Sequence, residues 1–125
     1  MERFNEIKNF LQKESMNTTG VEAITLVSVE GLPLVSATSL KVDDVAVSAM
    51  TSAMLAIGEK ASKELERGNL IKILVEGEKG YIVATQVNSS AILTVLTKKN
   101  VNLGLIFLKM KQLANKISNL LPKIS

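Results

Sequence analysis

Fourteen consecutive residues in the middle of the chain carry no charge: Val45-Ala46-Val47-Ser48-Ala49-Met50-Thr51-Ser52-Ala53-Met54-Leu55-Ala56-Ile57-Gly58. We predict that this segment is the core of a helix over residues 44–67. Asp43 or Asp44 can cap the free N–H groups of its first turn. Gly68 is expected to end it, because glycine adopts the left-handed conformation that closes many helices.

This predicted helix lacks the charged face that a helix on the surface of a monomer normally has. Its large apolar side chains form one stripe, which we expect to face a sheet: Val47, Met50, Met54, Ile57 and Ala61. Its small side chains form a second stripe, which would let another backbone approach closely: Ala46, Ala49, Ala53 and Ala56. The outer side is either buried within one domain or covered by another molecule. A chain of 125 residues has no further element to cover it, so we expect an intermolecular contact.

The segments on either side of this helix predict the order helix, two strands, helix, three strands, helix. The remaining helices are predicted over residues 2–14 and 102–120, and the strands over residues 23–29, 34–38, 70–75, 80–87 and 91–97. Short turns join neighbouring strands, so their pairing is antiparallel. Several strands are apolar on both faces and therefore need helices on both sides. The prediction is one α/β (α+β) domain over residues 1–125, a three-layer sandwich around a five-stranded antiparallel sheet.

The residue types argue against an enzyme. The 125 residues include no Cys and no His, which removes disulfides, Cys/His zinc sites and imidazole bases. No phosphate-binding glycine loop is present. Helix capping accounts for the adjacent Asp43 and Asp44, and a solvated turn accounts for Glu76 and Glu78. We predict no catalytic residue, no cofactor and no metal site.

Charge and aromatic content bear on the partners. The chain has four aromatic residues, too few for a surface that stacks nucleic-acid bases. All 12 acidic residues lie at or before Glu78, and the residues after it include seven Lys. This asymmetry indicates an anionic partner or a membrane surface, or only a solvated lysine-rich surface. The sequence shows no targeting signal and no apolar run near the ~20 residues that span a bilayer. We expect a cytoplasmic protein without nucleic-acid binding or stable membrane insertion.

Two further stretches have a distinctive pattern. One is the hairpin Val27-Ser28-Val29-Glu30-Gly31-Leu32-Pro33-Leu34-Val35-Ser36, and the other is the strand pair Gly68-Asn69-Leu70-Ile71-Lys72-Ile73-Leu74-Val75-Glu76-Gly77-Glu78-Lys79-Gly80-Tyr81-Ile82-Val83. With the element order and the Ala/Ser/Met-rich central helix, they resemble the Roadblock/dynein light chain family over nearly the whole chain. The turn Glu30-Gly31 stands where that family often has Asp-Gly, a difference that leaves the turn possible.

The resemblance implies a non-enzymatic scaffold that dimerises and associates with Ras-like small GTPases. Bacterial and archaeal members regulate such GTPases, as a GTPase-activating protein does. In the dimer, the strand after the central helix pairs with its counterpart and the two helices lie on one face. The implied interface of a homodimer is Leu70, Ile71, Ile73, Val75 and Ala46. The implied GTPase-binding residues are Ala49, Ser52, Ala53, Ala56 and Lys60. Arg67 is expected to pair with Glu64 or solvent, and not to act as an arginine finger.

The strand over residues 70–75 independently favours dimerisation. An exposed apolar edge strand promotes aggregation unless it is paired, and only Lys72 protects this one. We expect Ile73→Pro to break the dimer by removing an N–H from the pairing ladder. Two alternatives remain. One is a module that senses a small ligand, although the sequence reveals no convergent polar cluster; the other is an assembly adaptor without a GTPase.

Overall fold

Three helices and five strands follow one another in the predicted order in the computed structural model, which describes residues 2–38 and 42–121, with the backbone alone at residues 2, 3 and 16. The elements are α1 (Glu2–Asn17), β1 (Val21–Ser28), β2 (Pro33–Thr38), α2 (Asp44–Glu64), β3 (Lys72–Glu76), β4 (Gly80–Gln86), β5 (Ala91–Lys98) and α3 (Leu103–Leu120). Their bounds lie within a few residues of the predicted ones, so the alternation and turn signals of the sequence were sufficient to locate them.

The five strands form one antiparallel sheet in the order β2-β1-β5-β4-β3. At its centre β5 pairs with both β1 and β4, with Thr94 opposite Thr25 on one side and Ala84 on the other. Strands β2 and β3 are therefore the two edges. A register shift between Leu26 and Val27 interrupts the pairing of β1 with β2. The predicted five-stranded antiparallel sheet is confirmed.

Helices α1 and α3 cover one face of the sheet and enclose the larger core. Because successive side chains of a strand point to opposite faces, alternate residues of β1, β4 and β5 enter this core. Its fully buried side chains include Ile7, Leu11, Ile24, Leu26, Val83, Leu93 and Ile117. These apolar side chains provide most of the buried surface that stabilises the fold.

Two contacts of lysines fasten α3 to α1 at the rim of this core. The Lys109 ammonium lies 3.5 Å from the Glu14 carboxylate, and the Lys116 ammonium lies 4.5 Å from the centre of the Phe10 ring. The predicted start of α3 is confirmed, since the Asn102 side chain accepts a hydrogen bond from the N–H of Leu105. No helix within the described ranges is long and apolar enough to cross a membrane.

Helix α2 covers the opposite face and packs on a smaller core. The buried members of this core are Val27, Leu55, Ala84 and Ile92, with Val29, Leu70 and Ile73 packed against them. The three-layer arrangement predicted from the two-sided apolar strands is therefore confirmed. The sheet lies between α1 and α3 on one side and α2 on the other.

The side of α2 that contacts the sheet is not the predicted one. Its buried residues are Ser48, Thr51 and Leu55. Within the predicted stripe of Val47, Met50, Met54, Ile57 and Ala61, Met50 is 66% exposed and Ile57 is 70% exposed. That prediction is wrong because it ranked the stripes by apolar size. The sheet instead accepts small hydroxyl side chains whose polar atoms find partners in the interface.

Two hydrogen bonds of α2 hydroxyls show how this polar side is accommodated. The Thr94 hydroxyl donates to the Thr51 hydroxyl oxygen over 3.1 Å, with both residues almost fully buried. The Ser52 hydroxyl donates to the Val29 carbonyl over 2.6 Å. Short side chains also bring the helix axis close to the sheet. Among the larger side chains of α2, Leu55 is buried against the sheet, whereas Met50 and Ile57 are turned away from it.

Both ends of α2 have defined caps. Asp43 is the N-cap, and its carboxylate accepts from the N–H groups of Val45 and Ala46 at 3.0 and 3.2 Å. Asp44 has a separate role, because its carboxylate accepts from the Ser36 hydroxyl over 2.9 Å. Of the two predicted capping residues, Asp43 caps α2, and Asp44 connects the start of α2 to β2.

The C-terminal end of α2 comes earlier than the sequence predicted. Glu66 and not Gly68 takes the left-handed position that ends the helix, with a φ of 59°. The N–H of Arg67 donates to the Ser62 carbonyl and that of Glu66 to the Lys63 carbonyl, which is the Schellman pattern. Gly68 also has a positive φ, and its carbonyl accepts from the Ser62 hydroxyl. The chain therefore uses two left-handed residues to turn towards β3.

Candidate interaction surface

Strand β3 is an open edge with apolar side chains on both faces. Ile73 lies half-buried beneath α2, whereas Leu74 is 45% exposed on the face that carries α3. Ile71, just before the strand, is 78% exposed. Such an edge can pair with a further strand through its unpaired backbone groups.

The hairpin turn determines which N–H groups of β3 are free. The N–H of Gly77 donates to the carbonyl of Gly80 over 2.9 Å, so this pair is hydrogen-bonded. Opposed residues in an antiparallel ladder alternate between hydrogen-bonded and non-hydrogen-bonded pairs. Counting by two along the register places Ile73 and Ala84 in a hydrogen-bonded pair. The N–H of Ile73 is therefore directed to β4 and not to the edge.

It follows that the N–H groups at the free edge are those of Lys72, Leu74 and Glu76. The expectation that Ile73→Pro would act on the outer edge is wrong, because that variant would break the ladder between β3 and β4. The register places Leu74 at the centre of the outward set. A proline there removes an edge donor and leaves the bonds to β4 in place.

The side of α2 towards β3 is marked by Gly58. A Cβ at this glycine would lie 3.1 Å from Ile73 Cδ1 and 3.2 Å from Leu70 Cδ2. Residues three and four positions from Gly58 lie on the same side of the helix. We call this side, with the residues next to it, the methionine flank: Val47, Met50, Met54, Ile57 and Ala61. The exposed parts of Met50 and Ile57 thus stand above the β3 edge.

The opposite side of α2 faces the turn between β1 and β2. A Cβ at Gly31 in that turn would lie 3.6 Å from Ala49 Cα and 3.4 Å from Ser52 Cβ. We call this side the alanine flank: Ala49, Ala53, Ala56 and Lys60, all of them exposed. Ala46 is half-buried and lies between the flanks. The predicted partner-binding residues therefore share one surface, except that the Ser52 hydroxyl is turned inward to the Val29 carbonyl.

The predicted dimer residues other than Ala46 are gathered at the other side. Leu70 and Ile73 pack against the core beneath α2, Val75 is half-buried two residues along β3, and Ile71 projects into solvent. The sequence did not predict that Met50, Ile57 and Leu74 would be exposed on this side of the molecule. The absence of charge over residues 45–58 could have indicated the exposure of Met50 and Ile57. The outward direction of the Leu74 N–H follows only from which pairs of the β3–β4 hairpin are hydrogen-bonded.

A polar cluster holds the end of β3 against β5. The Lys99 ammonium contacts the Glu76 carboxylate and donates to the Gly77 carbonyl over 3.2 Å. The Tyr81 hydroxyl donates to Glu76 over 3.4 Å. The hydrogen bond and charge of Lys99 lower the pKa of Glu76, and the hydrogen bond to Glu76 raises the pKa of Lys99. The cluster fixes the hairpin that presents the free edge.

Two observations bear on catalytic chemistry. Arg67 donates through Nε to the Leu65 carbonyl over 3.0 Å and is exposed. Of the two predicted alternatives, Glu64 or solvent, the pairing with Glu64 is therefore not formed. Among residues 2–38 and 42–121, no three potential metal ligands of the carboxylate, imidazole or thiol type lie together. The surface formed by α2 and β3 is suited to contact with another macromolecule.

Comparison with known proteins gives the family. The model of the Roadblock/LC7 domain matches residues 7–97, a range that contains strands β1 to β4, helix α2 and all of β5 except its last residue. The chain belongs to the Roadblock/LC7 family. The resemblance read from the sequence is confirmed.

Individual Roadblock/LC7 relatives and similar structures agree with this assignment. The uncharacterized protein MJ0310 of Methanocaldococcus jannaschii is 36% identical over 104 residues, which cover 83% of this chain and 90% of the relative. The structure of Myxococcus xanthus MglB is similar with a TM-score of 0.84 at 21% identity, covering 100% of this chain and 97% of that one. An MglB structure with a tetrameric arrangement has a TM-score of 0.79 at 18% identity, covering 95% and 88%. At these identities the two structures show a common fold.

Proposed function

We propose that this chain is a homodimeric, cytoplasmic regulator that binds a Ras-like small GTPase and has no enzymatic activity of its own. Residues 1–125 would form a single Roadblock domain. Roadblock/LC7 domains are regulatory and adaptor modules, and the resemblance implies the GTPase partner. The observation that carries the proposal is the uncharged segment of α2 over residues 45–58, which exposes two different flanks beside an open strand edge.

The dimer is proposed to form through β3 and the methionine flank. Antiparallel pairing of two β3 edges would satisfy the outward N–H groups of Lys72, Leu74 and Glu76. It would also bring the two copies of α2 together above the joined sheet. Met50 and Ile57, exposed by 66% and 70% in the isolated chain, would then be covered. Removing such apolar surface from water favours association by about 25 cal/mol per Å², against which the loss of translational and rotational freedom must be set.

The alanine flank is the surface left for the GTPase. It lies on the side of α2 away from β3, so dimerisation leaves it accessible. Its short side chains permit close approach of a partner, and Lys60 adds a positive charge at its C-terminal end. The Lys60 ammonium lies 4.0 Å from the Glu64 carboxylate, and both side chains are highly exposed. Ion pairs of this kind add little to the stability of the fold. The ammonium can therefore exchange this contact for an acidic group of a partner.

The dimer is tested with three variants measured by light scattering. Leu74→Pro should be monomeric and folded, because it removes an outward donor only. Met50→Arg should also be monomeric, because it places a charge on the methionine flank. Ala53→Arg, on the alanine flank, is the matched control and should stay dimeric. A monomeric wild-type protein at tens of micromolar, or a dimer that survives Leu74→Pro and Met50→Arg together, contradicts the proposed interface.

The GTPase partner is tested by co-purification with a Ras-like GTPase encoded beside this gene. Wild-type protein should retain the GTPase, and Ala53→Arg should lose it while remaining dimeric. The chain alone should hydrolyse no GTP, and any rise in hydrolysis should require the GTPase. Failure of every such GTPase to bind a verified dimer would leave the assembly-adaptor alternative in its place.

A further inference from the structure

A groove lies on the face of the sheet opposite to α2. It has a volume of about 400 Å³ and runs between α3 and the strands β3 and β4. Val83 and Met110, both buried, form its apolar floor, and the Phe107 ring forms part of its wall. Cavities of about 300–1,000 Å³ with apolar linings commonly hold small molecules. This groove is thus large enough for a ligand. It adjoins the β3 edge of the proposed dimer through Ile71 and Lys72, and it lies on the face of the sheet opposite to the methionine and alanine flanks of α2.

Two lysines and an asparagine are among the polar residues that line the groove. Lys72 on β3 and Lys111 on α3 each bring an ammonium, and Asn115 lies one turn beyond Lys111. The lining includes no carboxylate. Within the described part of the chain, the side chains of Lys111 and Asn115 form no hydrogen bond or ion pair. Both can donate hydrogen bonds, so the groove offers unused donors and positive charge.

Lys72 places a positive charge next to the apolar wall of the groove. Its ammonium lies 4.2 Å from the centre of the Phe107 ring, which holds it over the lining by a cation–π contact. The aliphatic stem of a lysine packs on apolar surface while its head remains available. A molecule in the groove would therefore meet apolar walls along its length and two cations at the side of the opening.

We propose that this groove binds an aliphatic carboxylate, with its chain against Val83, Phe107 and Met110 and its carboxylate beside Lys72 and Lys111. The apolar walls select the chain by removing its surface from water. The two ammonium groups select a negative head, and Asn115 can donate a further hydrogen bond to it. This inference does not depend on the proposed GTPase partner, because the groove and α2 lie on opposite faces of the sheet.

The test uses decanoate as the probe, below the concentration at which it forms micelles, with the full-length protein. In ¹H–¹⁵N NMR titrations, saturable shifts are expected at Val83, Phe107 and Ala114, which line the groove. Lys72→Gln combined with Lys111→Gln should weaken binding about tenfold, as expected for two partly exposed ion pairs. Lys116→Gln is the matched control, because Lys116 lies over Phe10 and away from this groove, and it should leave the affinity unchanged.

Two comparison probes distinguish the contribution of the negative charge to binding from that of the alkyl chain. Acetate has the charge without the chain, and decyltrimethylammonium has the chain with the opposite charge; both should bind at least tenfold more weakly than decanoate. Equal binding of decyltrimethylammonium, unchanged affinity in the double Lys variant, or shifts located elsewhere would overturn the proposal. Groove shifts with an acidic Leu/Glu peptide but none with decanoate would overturn it in favour of a peptide surface. Light scattering of the same variants shows whether the dimer is intact, so failure here is distinct from failure of the proposed function.

Discussion

The contact between α2 and the sheet depends on a pair of buried hydroxyls. Thr51 and Thr94 are each about 1% exposed and are joined by one hydrogen bond. A buried polar group that loses its partner costs roughly 1–3 kcal/mol, whereas replacing both partners by apolar groups of the same shape can be nearly neutral. This pair therefore gives α2 a defined position on the sheet.

We predict that Thr51→Val lowers the free energy of unfolding by about 1–2 kcal/mol, because it leaves the Thr94 hydroxyl without a partner. Adding Thr94→Val should restore most of that loss. Urea denaturation of the single and double variants measures both effects. Thr19→Val, at an exposed turn position, controls for the change from Thr to Val. A double variant no more stable than either single one would mean that the hydroxyl pair is not the cause.

The Glu76–Lys99 contact predicts a pH effect confined to the end of β3. The pKa of Glu76 is lowered from 4.5 by Lys99. A lowered carboxyl pKa stabilises the fold above the unfolded value, and this contribution is lost as the pH falls through the folded pKa. The raised pKa of Lys99 acts in the opposite sense, since its contribution is lost as the pH rises through its folded value. The contact is thus present across neutral pH.

An NMR titration of the Glu76 carboxyl in the wild type should give a pKa below the ordinary range for glutamate. In Lys99→Met the pKa of Glu76 should return towards that range, because the hydrogen bond and the charge are both removed. Lys79→Met, on the same hairpin turn, is the matched control and should leave the pKa of Glu76 lowered, because Lys99 and Tyr81 are the groups that lower it. An identical Glu76 pKa in the two proteins would show that this contact is absent in solution.

At the level of elements, the end of α2 has a position suited to glycine but occupied by glutamate. Glu66 has a φ of 59°, a conformation that disfavours residues with a Cβ. We predict that Glu66→Gly raises the free energy of unfolding by about 0.5–1 kcal/mol, after the greater backbone entropy of glycine in the unfolded chain is included. Arg67→Gly, at a neighbouring position without a positive φ, should give no gain in thermal or urea denaturation.

The sequence was sufficient for the elements and their order because strands alternate, helices have caps and turns contain glycine. It was not sufficient for the orientation of α2. Apolar size favoured Met50 and Ile57 as core residues, whereas the buried residues Ser48 and Thr51 face the sheet. The Ser48 hydroxyl donates to the Asp44 carbonyl of its own helix, and the Thr51 hydroxyl accepts from Thr94 of the sheet. The direction of the Leu74 N–H could not be predicted from the sequence either, since it depends on the hydrogen bond between Gly77 and Gly80 in the following turn. The groove joins Lys72 to Lys111, which are far apart in the chain.

At the scale of the whole molecule, dimerisation should link stability to concentration. A partner that binds the folded state alone raises its apparent stability by mass action. We therefore predict that the Tm of the wild-type protein rises with protein concentration, whereas the Tm of Leu74→Pro does not. Differential scanning calorimetry over a hundredfold concentration range measures this. A wild-type Tm independent of concentration would contradict a dimer that forms on folding.

The two edges of the sheet differ, and this difference limits how far assembly can proceed. Edge β2 begins with Pro33, which has no N–H to offer, and the register of its pairing with β1 is interrupted at Leu26 and Val27; both features discourage further strand addition. Symmetric pairing of β3 with β3 in the proposed dimer would use the same edge of both copies. Among the described strands, no open apolar edge of that kind would then remain for a third copy. Growth along the sheet would stop at two chains, so an apolar edge that would seed fibres in a repeating arrangement would instead close a finite particle.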